Sequence, residues 1–346
     1  MPANNTHTGT VKPGGKVRLS YWVWTVIFIV FAIVLVAHYL PEIKKEVLLL
    51  ERVKIYWLVI AVCCQLLTYL FAAVVYGILL KAHKLQQQPS IWELIKAAVI
   101  ALFFNQTVPS GGISGNTYIF RFLQKFKLSA RDSVNLIVTE MVCYYAAIEA
   151  LVLPLLLFCL LFYKSPHVIK IVLFAGIVIF LSLSTLILLA GKQKTLMSIY
   201  KKIKKIKFIG KKLSPDFSRG GQSQHQFLKK EPRKVVNAVI FQLLVLAVDS
   251  LTVFSLFWGM GVQISPLVVL LAFMCTRIIS ILPISPGSLV VYESGMVYFL
   301  VSLGAPVGTS IVVTLLYRLL SFWLPMPVGL IMYRRELHKS SLNQNN

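Results

Sequence analysis

Six ionisable residues stand inside otherwise apolar stretches: Glu140, Glu149, Asp249, Arg277, Glu293 and Arg318. Charges at membrane depth are costly, and they mark binding sites, ion paths or paired structural contacts. Arg277 lies eight residues before Ser285 and Glu293 eight after it. On two antiparallel arms they reach the same depth. Either they pair with each other, or Arg277 is left to hold an anionic headgroup. Arg318, in Leu316-Tyr317-Arg318-Leu319-Leu320, has two readings as well: an ion pair with Glu293, or a contact to a lipid phosphate. Glu140 and Glu149 are nine residues apart, on opposite faces of a helix. They are not an acid/base pair, and one can face a cavity while the other pairs elsewhere. Asp249 reads as a hydrogen-bonded structural carboxyl or as an ion or proton site.

Other chemistry is thinly represented. The five cysteines lie in apolar stretches, where a thiol behaves as a small hydrophobe. The six histidines form no HExxH pair, and neither a P-loop nor a GxSxG motif occurs. The sequence therefore supports neither a metal nor a cofactor nor a nucleophilic enzyme.

Two breaks in hydrophobicity bracket the charges. The first is Phe104-Asn105-Gln106-Thr107-Val108-Pro109-Ser110-Gly111-Gly112, followed by Ser114-Gly115-Asn116. The second is Ile284-Ser285-Pro286-Gly287-Ser288. Irregular backbone at membrane depth survives only where protein or water covers it. A pair of interrupted segments in corresponding halves points to a transport site. Each break starts a half-helix whose N-terminal N–H groups suit a phosphate. Gly111, Gly112, Gly287 and Ser288 either let a ligand approach the backbone or simply allow tight helix packing.

The elements that carry these residues are membrane spans. The chain is 57% hydrophobic and only 14% charged, against about 25% in a soluble domain. The expected fold is an all-α polytopic membrane protein with six spans and two re-entrant hairpins. Spans are predicted at 22–40, 55–80, 134–163, 168–189, 235–258 and 310–333. The hairpin arms are 95–104 with 113–122, and 267–282 with 289–303. Arms this short cannot cross alone, since crossing takes about 20 residues. The whole of 1–346 reads as a single membrane domain, with halves at 1–163 and 164–333. Each half runs span, span, hairpin, span. The shift that lays Gly111 on Gly287 also lays Ser129 on Ala305 and Ser133 on Thr309. Three crossings per half make the repeat inverted.

The net charge of +23 is concentrated. The loop at 191–234 holds fourteen Lys and Arg. It reads as a cytoplasmic loop on anionic headgroups rather than a nucleic-acid site. Within it, Leu196, Ile199, Ile203 and Ile206 form the apolar stripe of an interfacial helix. The Lys/Arg asymmetry puts both termini in the cytoplasm, with the weakly charged 259–266 loop outside.

The second break and its surroundings carry a resemblance. Ser280-Ile281-Leu282-Pro283-Ile284-Ser285-Pro286-Gly287-Ser288-Leu289, Glu293, Leu303-Gly304-Ala305-Pro306 and Tyr317-Arg318-Leu319-Leu320, with Trp323-Leu324-Pro325 and Gly329, resemble the membrane domain of lysylphosphatidylglycerol synthases. Asn105, Pro109, Gly111-Gly112, Gly115, Arg121 and Leu128-Ser129 look like that family's first motif, and Glu140 like its following acidic position. Two positions depart: Asn116 stands where the family commonly has an acid, and Met141 where it has Arg. The chain ends soon after its last span, so the resemblance implies the lipid-moving half without the lysyl-transferring half. It implies a flippase-like protein of the cell membrane, working on membrane lipids, anionic ones by preference, with no nucleic acid. The headgroup residues it implies are Arg277, Glu293, Arg318, Gly111, Gly112, Gly287, Ser288, Arg121 and Glu140. The alternative is a membrane component of lipid modification, of the phosphatidylglycerol lysyltransferase or glycosyl-transfer type, acting with a separate catalytic enzyme.

Overall fold

Capping chemistry starts several of the helices. Ser90 accepts a hydrogen bond from Glu93 N, while the Glu93 carboxylate accepts one from Ser90 N at 2.7 Å. Ser129 caps the following long helix by accepting from Asp132 N at 3.1 Å. Ser265 accepts from Leu267 N, with Pro266 at the first helical position, where its missing N–H costs nothing. These caps satisfy backbone donors that have no intrahelical partner.

The computed structural model describes residues 54–81, 88–108, 113–190, 231–281 and 288–342. The predicted span at 22–40, the interfacial stripe at 196–206 and the basic loop up to residue 230 fall outside the described residues, as do Gly111, Gly112 and Gly287. The described helices are α1 (Ile55–Leu80), α2 (Ile91–Thr107), α3 (Ile113–Lys125), α4 (Ala130–Leu161), α5 (His167–Ala190), α6 (Pro232–Gly259), α7 (Pro266–Ile279), α8 (Val291–Ser302), α9 (Val307–Arg318) and α10 (Pro325–Leu342). A π turn, Leu319–Trp323, joins α9 to α10. No strand occurs among the described residues.

Five helical stretches are long and apolar enough to cross a membrane: Ile55–Leu80, Ala130–Leu161, His167–Leu188, Pro232–Gly259 and Val307–His338. They lie where five of the spans are predicted. Their outward faces carry large apolar side chains such as Ile55, Leu66, Leu161, Phe174 and Leu186, which suits lipid rather than water.

The shorter helices pair. Ser114 Oγ donates to Phe104 O at 2.9 Å and Gly115 N donates to Asn105 Oδ1 at 2.8 Å, which ties the start of α3 to the end of α2. A side chain on Gly115 would put its Cβ 2.5 Å from Ala101 O. Only glycine lets these two backbones meet. In the second pair Ser288 Oγ donates to Ser280 O at 2.8 Å, and Thr276 faces Met296. Between Ser288 and α8 the chain turns sharply, with Val290 at φ 69°. A β-branched residue there is strained by about 1–3 kcal/mol, which its neighbours must hold.

Two apolar cores flank these pairs. One gathers Ala73 to Leu80, Leu94 to Ala101, Tyr118 to Leu128 and Leu136 to Cys143. The other gathers Ala147 to Cys159, Leu246 to Phe257, Val269 to Ile278 and Tyr292 to Leu300. Along α1, α4 and α6 the first core gives way to the second near the helix middle, and the polar residues fall at that level.

Helices α1 and α6 form the most extensive contact and run antiparallel. Lys54 N donates to Gly259 O at one end, and Lys234 Nζ donates to Lys81 O at the other. At the Lys81 end the Glu336 carboxylate of α10 accepts from Tyr118 at 2.6 Å and pairs with Lys125.

Candidate functional site

Pro325 has no N–H, so the carbonyls four and five residues before it, Ser321 and Leu320, receive no donor from it. Side chains from other elements fill both places. Gln106 Nε2 donates to Ser321 O at 3.0 Å, and the Tyr69 hydroxyl donates to Leu320 O at 3.3 Å. The proline thus fastens α1 and α2 to the last span. Backbone groups freed inside a membrane need such replacements. π turns recur at functional sites, and this one displaces Phe322 and Trp323 from ordinary helical register.

A cavity of about 540 Å³ lies beside this joint. Asn105, Gln106 and Asn116 of the first hairpin line it, with Glu140 of α4 and Asp249 of α6. The second hairpin contributes Arg277, Ser280, Ser288 and Tyr292, and the last span Tyr317, Arg318 and Ser321. Several buried polar atoms on this wall, Gln65 Oε1, Gln106 Oε1, Arg277 Nε and Ser280 Oγ among them, have no hydrogen-bond partner among the described residues.

The charges are arranged in two clusters. Arg277 pairs with Asp249 of α6, not with Glu293 across its own hairpin. Asp249 also accepts from the Tyr317 hydroxyl at 3.0 Å and is almost fully enclosed. The Arg277 guanidinium lies 5.0 Å from the Phe273 ring centre, and its side chain keeps 28% exposure. Glu293 pairs with Arg318 of the last span. Arg318 is buried between aromatic faces, 4.3 Å from the Phe322 ring centre and 4.9 Å from that of Tyr292. A guanidinium suits this position because its planar fork pairs and stacks at once. Equal depth does not make two residues neighbours. Arg277 and Glu293 point to different sides of their hairpin, each toward a different span.

Glu140 accepts from Gln242 Nε2 at 2.8 Å. Glu149, on the opposite face of α4, does not line the cavity. Arg121 is exposed and lies away from the cavity. Ser288 reaches the cavity, but its hydroxyl is engaged in closing the hairpin. Asp249, singled out in the sequence as a structural carboxyl or an ion site, and Tyr317, quoted there only as Arg318's neighbour, both line the site although neither is among the expected headgroup residues. The signal for Asp249 is a lone carboxylate in an apolar helix; Tyr317 gives none beyond its place before Arg318.

A family profile described as lysylphosphatidylglycerol synthase TM region matches residues 22–329. The chain belongs to that family. A UPF0104 membrane protein of Pyrococcus horikoshii is 23% identical over 336 residues, covering 92% of this chain and 99% of that protein. A UPF0104 membrane protein of Methanothermobacter thermautotrophicus is 28% identical over 108 residues, covering 31% and 32%. The two positions at which this chain departs from the family's pattern are neighbours in space. Asn116 Nδ2 lies 3.6 Å from Met141 Sδ, on the cavity wall. Both are neutral groups, and they meet on the cavity wall.

Proposed function

We propose that this protein is a lipid translocase of the cell membrane, in which a polar or anionic headgroup occupies the cavity while the acyl chains stay in the bilayer. The observation that carries this reading is one cavity, at mid-height between two apolar cores, walled by polar groups from both hairpins. Its volume lies within the roughly 300–1,000 Å³ of small-molecule sites. Arg277, with its partly exposed guanidinium and orphaned Nε, is the phosphate contact. Arg318, held by Glu293, and Ser288 border the same space. Glu140 faces it from the first half. Arg121 draws anionic lipid toward the protein from its exposed place on α3.

The two hairpins are re-entrant and belong to an inverted repeat. Under the shift that superposes Gly111 on Gly287, the starts of α1, α2, α3 and α4 fall beside the starts of α6, α7, α8 and α9. The open end of the first hairpin carries Lys125 and sits with Glu336, late in the last span. The open end of the second leads from Ser302 directly into the start of that span. Hairpins entering from opposite faces and meeting at mid-height suit alternating access.

The test is lipid sidedness in vesicles. Purified protein is reconstituted with fluorescent phosphatidylglycerol, and a membrane-impermeant quencher is added outside. Vesicles holding the protein should lose the inner-leaflet fluorescence, and Arg277→Ala should slow that loss at least tenfold. A rate equal to that of protein-free vesicles overturns the reading.

A further inference from the structure

Three carboxylates stand at the cavity or against a residue that lines it. Asp249 has Arg277 and Glu293 has Arg318. Glu140 has no arginine or lysine among the described residues. The groups facing it are Gln242 of α6 at 2.8 Å and Tyr76 of α1. Cys143 and Tyr145 of its own helix are the other titratable neighbours. It lies ten residues into a membrane-spanning helix, about 15 Å from the end. An ionised carboxylate taken out of water needs a counter-charge or a proton.

The surroundings suit a proton rather than a metal ion. Calcium and magnesium require several oxygen ligands. Gln242 presents its amide nitrogen to Glu140, and the remaining contact is a phenol. No group of three metal-ligating side chains occurs among the described residues. An amide also serves both protonation states. Its N–H₂ donates to the carboxylate, and after a half-turn its carbonyl accepts from the carboxylic acid. The site can thus load and unload without a buried group losing its partner.

The equivalent position in the second half, under the shift that lays Gly111 on Gly287, is Leu316. The shift therefore does not duplicate the carboxylate. The sequence has no P-loop, which leaves a gradient, a partner protein or no energy input, and a proton site inside the cavity favours the first. We propose that Glu140 is a proton-binding site of the cavity, through which a proton gradient drives headgroup movement. The carboxylate takes up one proton from the side to which the cavity is open. It gives that proton up on the other side, and no covalent bond to the lipid forms. The coupling, though not the site, rests on the translocase reading.

Two measurements separate the parts. Infrared difference spectra of the reconstituted protein between alkaline and acidic buffer report the protonated-carboxyl stretch. Wild type should show it and Glu140→Gln should lose it. Gln242→Met removes the donor that faces the carboxylate, so the pH dependence of the band should differ from that of wild type. This variant keeps the site readable if Glu140→Gln folds poorly. No band in wild type, or an unchanged band in folded Glu140→Gln, overturns the proposal. An entrapped pH dye then follows protons while fluorescent phosphatidylglycerol moves. Proton movement accompanying lipid in wild type supports the coupling, and lipid movement without it overturns the coupling. If the band behaves as expected while no lipid moves, the proton site stands and the translocase reading fails.

Discussion

Arg318 and Glu293 occupy a position where stability and function can be separated. The Arg318 side chain is 7% exposed and that of Glu293 22%, so either partner alone would be a stranded charge. Removing one side of such a pair costs about 3–5 kcal/mol. We expect Arg318→Met and Glu293→Leu each to lower the melting temperature in detergent. The double variant should recover most of the loss, because two apolar groups fill the same space. Lipid movement should not recover, since Arg318 also borders the headgroup. Recovery of both by the double variant would reduce Arg318 to a structural clamp. Arg318→Lys should keep part of the stability but lose the stacking on Phe322 and Tyr292. The sequence made these residues conspicuous, because a charge in an apolar run stands out in any reading. It could offer the Arg318–Glu293 pair only as one of two choices. It also offered Arg277–Glu293, and depth alone cannot reject that; the direction in which each side chain leaves its helix decides, and this is a tertiary quantity. Tyr317 was illegible for a plainer reason. Tyrosine is common in membrane helices, and its role here comes from the 3.0 Å contact to Asp249.

At the scale of elements, Pro325 shapes the last span by what it lacks. The two carbonyls it leaves unfilled are held by Gln106 and Tyr69. Gln106→Leu should therefore cost about 1–2 kcal/mol in the natural protein, since a buried carbonyl loses its donor. Pro325→Ala supplies a backbone N–H to the same carbonyls. In that background Gln106→Leu should cost less, and the difference between the two backgrounds measures the coupling. Equal costs in both, read from thermal melts of the four proteins, would show that proline and glutamine act independently. The spans themselves were legible, because stretches of this length and apolarity have few alternatives in water-soluble folds. The short helices that replace a full span were legible from the Pro-Gly breaks between them. The π turn was not. Leu316 to Trp323 reads as unbroken helix, and the departure depends on which neighbours can replace the missing N–H.

The whole molecule has a chemically marked end. Lys81, Lys125, Lys234 and Glu336 meet there, and Arg334 and Arg335 lie within one turn of Glu336. The opposite end holds the short connections from Gly259 to Pro266 and from Ser302 to Val307. Lys and Arg near the ends of spans favour the cytoplasmic side. The repeated order of elements was legible only as an order, because the halves share few identities. The second half holds Asp249, Arg277, Glu293 and Arg318, while the corresponding positions of the first half are Ala73, Ala101, Thr117 and Val142. The expected orientation, with this end in the cytoplasm, can be tested without knowing the lipid. In a background without native cysteines, Gln124→Cys should react with an impermeant maleimide only after the membrane is opened. Gln263→Cys, exposed on the other end, should react in intact cells. Both side chains are accessible, so a failure to label reports sidedness rather than burial. The reverse pattern would put the basic end outside and remove the charge argument for the topology. Labelling of both from one side would place the two ends together, which a bundle of crossing helices cannot do, and the membrane-spanning assignment of α1 and α6 would fall with it.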